Sequence, residues 1–228
     1  MKILPTPVEG TLRKVALKVP EAIYDCSGIQ IFGKRIKSLV FTTDVSILRN
    51  VNADAAIAVY PFTPQPIITQ ALLLAADLPV FVGVGGGLTQ GQRVVNLAAY
   101  AEMQGAMGVV VNAPTANEVI EQVAAAVDIP VVVTVARADE DFRARVEAGA
   151  GIFNVSAAAR TPEVVAAIRA LYPRFPILAT GGATDESIRA TITAGANAIS
   201  WTPPTCAELF KRIMAAYREG RGYHDIDQ

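Results

Sequence analysis

The stretch PILATGGATDESIRATITAGANAISW, residues 176–201, contains two short apolar runs that flank a segment of helical character. Thr184, followed by Asp185 and Glu186, is typical of a helix start, because a capping oxygen and acidic side chains satisfy the free amide groups there. Gly195 is typical of a helix end, because glycine tolerates the left-handed conformation found just after a helix. The stretch therefore predicts a strand, a helix and a second strand.

The same pattern recurs along the chain. Continuous runs of Val, Ile, Leu and Ala are typical of parallel strands covered on both faces, and Thr115 with Glu118 resembles a capping box at the start of one intervening helix. Eight strand–helix units predict an α/β fold, the (β/α)8 TIM barrel, with its ligand site just after the strands on the C-terminal face. The runs are residues 38–43, 55–60, 79–84, 107–112, 130–135, 151–155, 176–181 and 198–202.

The chain divides into three parts around this barrel. Residues 1–37 form an N-terminal extension, in which the alternating apolar residues of GIQIFGKRI (28–36) predict a hairpin or flap that caps the bottom of the barrel. Residues 38–220 form the barrel, and residues 221–228 form a polar tail. We therefore expect one domain with a capped barrel.

Composition narrows the class of protein. Hydrophobic residues make up 52% of the chain and charged residues 18%, which is typical of a folded α/β domain. The net charge of −1 argues against a nucleic-acid partner, and no apolar run has the length of a membrane span. Two cysteines, Cys26 and Cys206, build no disulfide framework. We expect a cytoplasmic protein with a small-molecule ligand and, given its low charge, a homo-oligomer.

Two absences limit the chemistry of the predicted site. No lysine occurs between Lys37 and Lys211, so no barrel strand supplies an amine for a Schiff base. The single histidine, His224, lies in the tail, which argues against a histidine-based metal site or a catalytic triad in the barrel. We therefore expect neither a metal nor an obligatory cofactor.

Asp44 is the best catalytic candidate, because it follows the first strand directly and a partly desolvated carboxylate there is able to act as a general base. The alternative is an N-cap for the helix that follows. Asn112, Thr134 and Asn154 follow or end other strands, where they would orient a substrate or stabilise an oxyanion.

Several segments are candidates for binding an anionic ligand. Gly85, Gly86 and Gly87 allow close approach of a ligand to the backbone, although a simple tight turn is the alternative. Arg137 and Arg160 would clamp a carboxylate or phosphate, unless they are solvated loop residues. Cys206 begins the last helix, where a thiolate would be favoured, but we expect it to be a packed small residue.

The loop from Thr180 through Gly181, Gly182 and Thr184 ends the seventh strand, where barrels often build a phosphate site from backbone amides. Residues 176–202 resemble the last two units of the phosphate-binding, aldolase-type barrel superfamily, and this resemblance implies that Gly181 and Gly182 donate to a phosphate. The sequence departs from that group at Pro203 and Pro204, which lack amide donors.

Two further resemblances are less specific. Residues 79–115 are similar to the third and fourth units of the dihydrodipicolinate synthase and N-acetylneuraminate lyase family, whose Schiff-base lysine has no counterpart here. The whole chain looks like a group of bacterial barrel proteins often labelled only "hydrolase".

Three functions remain open at this point. The first is an enzyme with lyase- or isomerase-type chemistry on a phosphorylated or carboxylated substrate, without a Schiff base or metal. The second is an oxidoreductase that binds FMN through the Gly181–Gly182 loop. The third is a ligand-binding barrel that has no catalytic activity and acts as a sensor.

Overall fold

Eight parallel strands close into a barrel in which each strand pairs with its neighbours in chain order, and the last strand pairs with the first. This architecture is seen in a computed structural model that describes residues 17–221, together with residues 3, 5, 6 and 8. The barrel strands are β3 (Ser38–Phe41), β4 (Ala55–Ala58), β5 (Val80–Gly85), β6 (Gly108–Val111), β7 (Val131–Val135), β8 (Ile152–Val155), β9 (Ile177–Thr180) and β10 (Ala198–Trp201).

Helices connect the strands and cover the outside of the barrel. They are α1 (Val45–Leu48), α2 (Pro66–Ala75), α3 (Gln92–Met103), α4 (Asn117–Ala126), α5 (Phe142–Glu147), α6 (Thr161–Leu171), α7 (Asp185–Thr193) and α8 (Cys206–Arg218). Seven of the eight barrel strands fall within the predicted apolar runs, and β5 extends one residue beyond its run, to Gly85. The predicted (β/α)8 TIM barrel is confirmed. None of the helices in residues 17–221 is long and apolar enough to cross a membrane.

The N-terminal extension forms a hairpin that caps the barrel, as predicted. Strands β1 (Ile29–Ile31) and β2 (Lys34–Ile36) pair antiparallel. Their buried isoleucines share one apolar cluster with the side chains that point into the lower half of the barrel. The hairpin therefore fills the N-terminal end of the barrel and leaves the C-terminal end for a ligand. The predicted tail, residues 221–228, lies outside the described residues apart from Arg221.

A second, larger apolar cluster lies between the strands and the helices. Successive strand residues alternate between these two clusters, because side chains along a strand point to opposite faces. In β6, for example, Val109 and Val111 belong to the outer cluster and Val110 belongs to the inner one. This alternation decides which residue beyond each strand faces the barrel mouth.

Strand β5 interrupts the regular register. Gly83 pairs with Val110 and Gly85 pairs with Val111, so β5 contains one residue more than β6 over this interval. A bulge of this kind bends the strand and redirects the residues that follow. It occurs immediately before the segment Gly85–Gly87.

We predict that the hairpin contributes to the stability of the barrel through its buried face. The change Ile36→Ala should lower the free energy of unfolding by about 2–5 kcal/mol, because Ile36 is 2% exposed and its truncation leaves a cavity. The control is Gln30→Ala, which alters an exposed side chain of the same hairpin. Urea unfolding measures both, and equal stability of the two variants would contradict the prediction.

Candidate functional site

A layer of polar side chains forms the upper interior of the barrel. Each of these residues lies two positions after an apolar residue of the inner cluster, and therefore points toward the barrel axis. Asn154 and Ser200 are buried, whereas the others are partly or largely exposed. The members of this layer are Asn112, Thr134, Asn154, Thr180 and Ser200.

Three of these residues were predicted as catalytic, and the barrel brings two of them into direct contact. The Nδ2 atom of Asn154 donates a hydrogen bond of 3.2 Å to Oγ1 of Thr134. Because that oxygen accepts from Asn154, the Thr134 hydroxyl proton remains free to donate. Asn112 is exposed at the mouth. Its backbone carbonyl accepts a hydrogen bond of 2.8 Å from the Thr115 hydroxyl.

A small pocket of about 100 Å³, partly open to solvent, adjoins Asn112. Its walls come from residues 59–64 after β4 and from the glycine-rich loop after β5. The Tyr60 hydroxyl accepts a hydrogen bond of 2.9 Å from the amide of Gln65, which leaves its own proton available. Phe62 and Leu88 are largely exposed and make the pocket wall apolar.

The three predicted glycines have different roles. A Cβ at Gly86 would lie 2.6 Å from the Asn112 amide nitrogen, and Gly86 has a φ of +98°. Gly85 packs closely against Val94 of α3. At Gly87, by contrast, a Cβ would meet nothing within 4 Å. Gly85 and Gly86 are thus required for packing, and Gly87 is the glycine of this loop that is open to a ligand.

Thr89 was not identified from the sequence. It is 4% exposed and borders the pocket, and its Oγ1 has no hydrogen-bond partner among the described residues. Leaving such a buried polar atom unpaired costs about 1–3 kcal/mol. Thr89 also lines a neighbouring hollow, together with Thr63, Gln90 and Arg93. Only the tertiary structure shows that this hydroxyl is unpaired, because threonine is also common in turns where its hydroxyl is hydrogen-bonded.

Asp44 forms the N-cap of α1, where its Oδ1 accepts hydrogen bonds from the amides of Ser46 (2.8 Å) and Ile47 (3.3 Å). A hydrogen bond with the Cys206 thiol, followed by the capping amides, lowers the pKa of Asp44. This direction is opposite to the raised pKa of a desolvated base. The geometry therefore supports the capping alternative, and Asp44 does not line the pocket beside Asn112.

The same contact changes the interpretation of Cys206. Its hydrogen bond with Asp44, and after it burial, raise the pKa of the Cys206 thiol. The expectation that a thiolate is favoured at the start of α8 is wrong, because the neighbouring carboxylate opposes a second negative charge.

The two arginines that were predicted to bind an anionic ligand are each paired with a nearby carboxylate. Arg137 lies 3.2 Å from Asp139, and Arg160 makes two hydrogen bonds to Glu163. Both arginines are largely exposed. The geometry supports the alternative that they are solvated loop residues.

The predicted phosphate loop is also partly occupied by internal hydrogen bonds. The Gly181 amide donates to the Ser200 carbonyl, so it is not free for a phosphate. The Thr184 amide donates to the Ser187 hydroxyl within a capping box. Asp185 and Glu186 add negative charge to the first turn of α7. A phosphate at this loop would depend on Gly182 and its neighbour Ala183, and its binding there stays a prediction.

Comparison with solved structures finds the same fold in several enzymes. A putative phosphonomutase from Burkholderia cenocepacia J2315 superposes with a TM-score of 0.62 and 19% identity, over 80% of this chain and 92% of that chain. A phosphonopyruvate hydrolase in complex with oxalate and Mg++ gives a TM-score of 0.62 and 14% identity, over 84% and 85% of the two chains. A mandelate oxidase mutant with an FMN adduct gives a TM-score of 0.59 and 19% identity, over 78% and 68%.

These similarities confirm the resemblance to aldolase-type barrels at the level of the fold. No family model matches the sequence, and no curated protein matches it either. The narrower resemblance to barrels labelled "hydrolase" therefore stays a prediction.

The expectation that no cofactor is needed is corrected by these neighbours, since one of them holds Mg++ and another an FMN adduct. Residues 17–221 contain no cluster of three or more His, Cys, Asp or Glu side chains that would hold a metal ion. The side chains described around the mouth therefore do not fit a metal held by several protein ligands. Of the two glycines expected to hold an FMN phosphate, Gly181 already donates its amide to the Ser200 carbonyl. We derive no reaction step through either group.

We predict that Asp44 suppresses the reactivity of Cys206. In the variant Asp44→Asn the thiol pKa should fall, so alkylation of Cys206 by iodoacetamide at pH 7.5 should accelerate several-fold. Mass spectrometry locates the label on Cys206. At a pH above the raised pKa, the Cys206 thiol is fully ionised in both proteins, so their alkylation rates should converge. Equal rates at pH 7.5 would show that the carboxylate does not control the thiol.

Proposed function

We propose that this protein is an enzyme acting on a small substrate with a carboxylate or phosphate group, through lyase- or isomerase-type chemistry. The fold is shared with enzymes whose names or ligands include phosphonopyruvate and oxalate. The observation that carries the proposal is the polar layer at the C-terminal end of a barrel whose lower interior is apolar. Barrel enzymes place their chemistry at this end.

In the proposed reaction, the polar layer stabilises negative charge that develops on a carbonyl oxygen of the substrate. The Thr134 hydroxyl has a free proton because its oxygen is held by Asn154. Asn112 and Tyr60 supply further donors from the adjoining pocket. Donors that are fixed before the reaction contribute strongly to rate, because they need no reorganisation when the charge forms.

Asp44 remains the predicted general base in this proposal. Its lowered pKa means that it is ionised at neutral pH, although the hydrogen bonds that lower the pKa also weaken it as a base. The variant Asp44→Asn retains a good N-cap residue, so folding should persist while turnover is lost. Unchanged turnover in Asp44→Asn would show that Asp44 serves only as the N-cap of α1.

We predict that Thr134→Val lowers kcat by about 10²–10³-fold, the loss typical of removing one oxyanion donor. Turnover is first sought with 2-keto acids, oxaloacetate and phosphorylated sugars, each with and without Mg²⁺ and FMN. The matched control is Thr191→Val, which removes a buried hydroxyl bonded to the Ser187 carbonyl within α7. A similar loss of kcat in both variants would indicate a general structural effect and contradict the proposed role of Thr134.

A second candidate is a ligand-binding barrel without catalysis. It is favoured by the chemistry of the mouth, where the polar layer consists of amides and hydroxyls and the nearby carboxylate of Asp44 is engaged in a cap. In that case a ligand would raise the melting temperature while no product forms. The same panel of compounds, tested by thermal shift and by product analysis, separates the two functions.

A further inference from the structure

The loop between β5 and α3 contains a group of residues that the proposed reaction does not use. Thr89 has a buried hydroxyl without a partner among the described residues. It borders both the pocket that adjoins Asn112 and the neighbouring hollow lined by Thr63 and Arg93. Arg93 lines that hollow from the second residue of α3. Gly87 lines both spaces and has nothing near its Cβ position. A hydroxyl, a cation and an open stretch of backbone therefore meet at one place.

The start of α3, like that of α2, has neither a side-chain cap nor an acidic residue in its first turn. Its N-cap residue is Gly91, which offers no side-chain cap, and its first turn contains no acidic residue. By contrast, the helices α4, α6, α7 and α8 all carry a Glu or Asp in the first turn. The free amides and the positive end of the α3 dipole are thus left without compensation by the protein.

Arg93 adds a full positive charge to this helix start. Within residues 17–221 it forms no ion pair, whereas Arg137 and Arg160 on other loops of the same rim are each paired with a carboxylate. The loop itself is held in place, since the Gly86 amide donates to the Thr89 carbonyl at 3.0 Å and the Gln90 side chain donates to the Gly87 carbonyl at 3.0 Å. The backbone of the loop is therefore fixed before a ligand arrives.

We propose that this loop is an oxyanion subsite that binds the phosphate or carboxylate group of the ligand. The Thr89 hydroxyl, the Arg93 guanidinium and the first amides of α3 would donate to the oxygens, while the rest of the ligand lies over Tyr60 and Asn112. Such a group of donors at a helix start is well suited to an anion. The inference rests on the proposed function and places the anionic end of its substrate at the β5–α3 loop.

Calorimetric titration with inorganic phosphate, and separately with oxalate, tests the subsite on the full-length protein. In Arg93→Gln the Kd for the anion should rise by about tenfold or more, the loss expected for a charge-assisted hydrogen bond. In Thr89→Val the Kd should also rise, while the melting temperature without anion should stay equal or increase, because a methyl group replaces an unpaired hydroxyl. The phosphate and oxalate titrations show which oxyanion the subsite prefers.

The matched control is Arg160→Gln, which removes the same charge from another loop of the rim and should leave the Kd unchanged. Absence of anion binding by the unaltered protein, an unchanged Kd in both Thr89→Val and Arg93→Gln, or an equal rise in Arg160→Gln would each overturn the subsite. The proposed function is judged separately, by the effect of Thr134→Val on kcat. Loss of turnover in that variant, with an unchanged Kd in both Thr89→Val and Arg93→Gln, would refute the subsite alone.

Discussion

The alternation of side chains around a closed parallel barrel is the constraint on which this structure depends. The barrel strands contain only four to six residues, so each contributes very few side chains to the interior. The lower positions must be filled to exclude water, and they are filled by apolar residues together with the isoleucines of the hairpin. Gly108 illustrates how tight this packing is, since a Cβ there would lie 2.7 Å from the Phe81 ring. On β6 to β10 the next interior positions reach the mouth and are polar, whereas on β3, β4 and β5 they are Phe41, Val59 and Gly83.

This division between an apolar floor and a polar mouth defines the chemistry that the site supports. Amides and hydroxyls such as those of Asn154 and Thr134 orient a substrate and stabilise developing charge. At the mouth, Arg137 and Arg160 are each paired with a carboxylate, that of Asp139 and that of Glu163 respectively. Arg93 at the start of α3 forms no ion pair within residues 17–221, and this difference is the basis of the proposed oxyanion subsite.

The structural neighbours show how little the barrel alone says about the reaction. The same fold carries oxalate and Mg++ in one neighbour and an FMN adduct in another, at sequence identities of 14% and 19%. Function in such folds resides in the loops that follow the strands. The argument for this protein therefore rests on its own residues, above all on Thr134, Asn154, Thr89 and Arg93.

Helix starts illustrate where sequence patterns succeed and fail. The cap at Thr184 forms as predicted, with Ser187 completing the capping box. The similar pattern at Thr115 does not form a cap. Its hydroxyl donates instead to the Asn112 carbonyl, and Ala116 is the residue that precedes α4. A local sequence pattern indicates which hydrogen bonds a side chain is able to make. The conformation of the neighbouring loop decides which of those partners it reaches.

The sequence by itself determined the eight strand–helix units, the hairpin cap and the set of residues at the C-terminal end, because these follow from local hydrophobic patterns and turn residues. Only the tertiary structure decided which of those residues are free to bind a ligand. Gly181, Arg160 and Asp44 are all engaged by partners within the protein, whereas Thr89 is left without one in the part of the chain described. Hydrogen-bond partners from neighbouring strands and loops meet only when the barrel closes, so no local pattern records them.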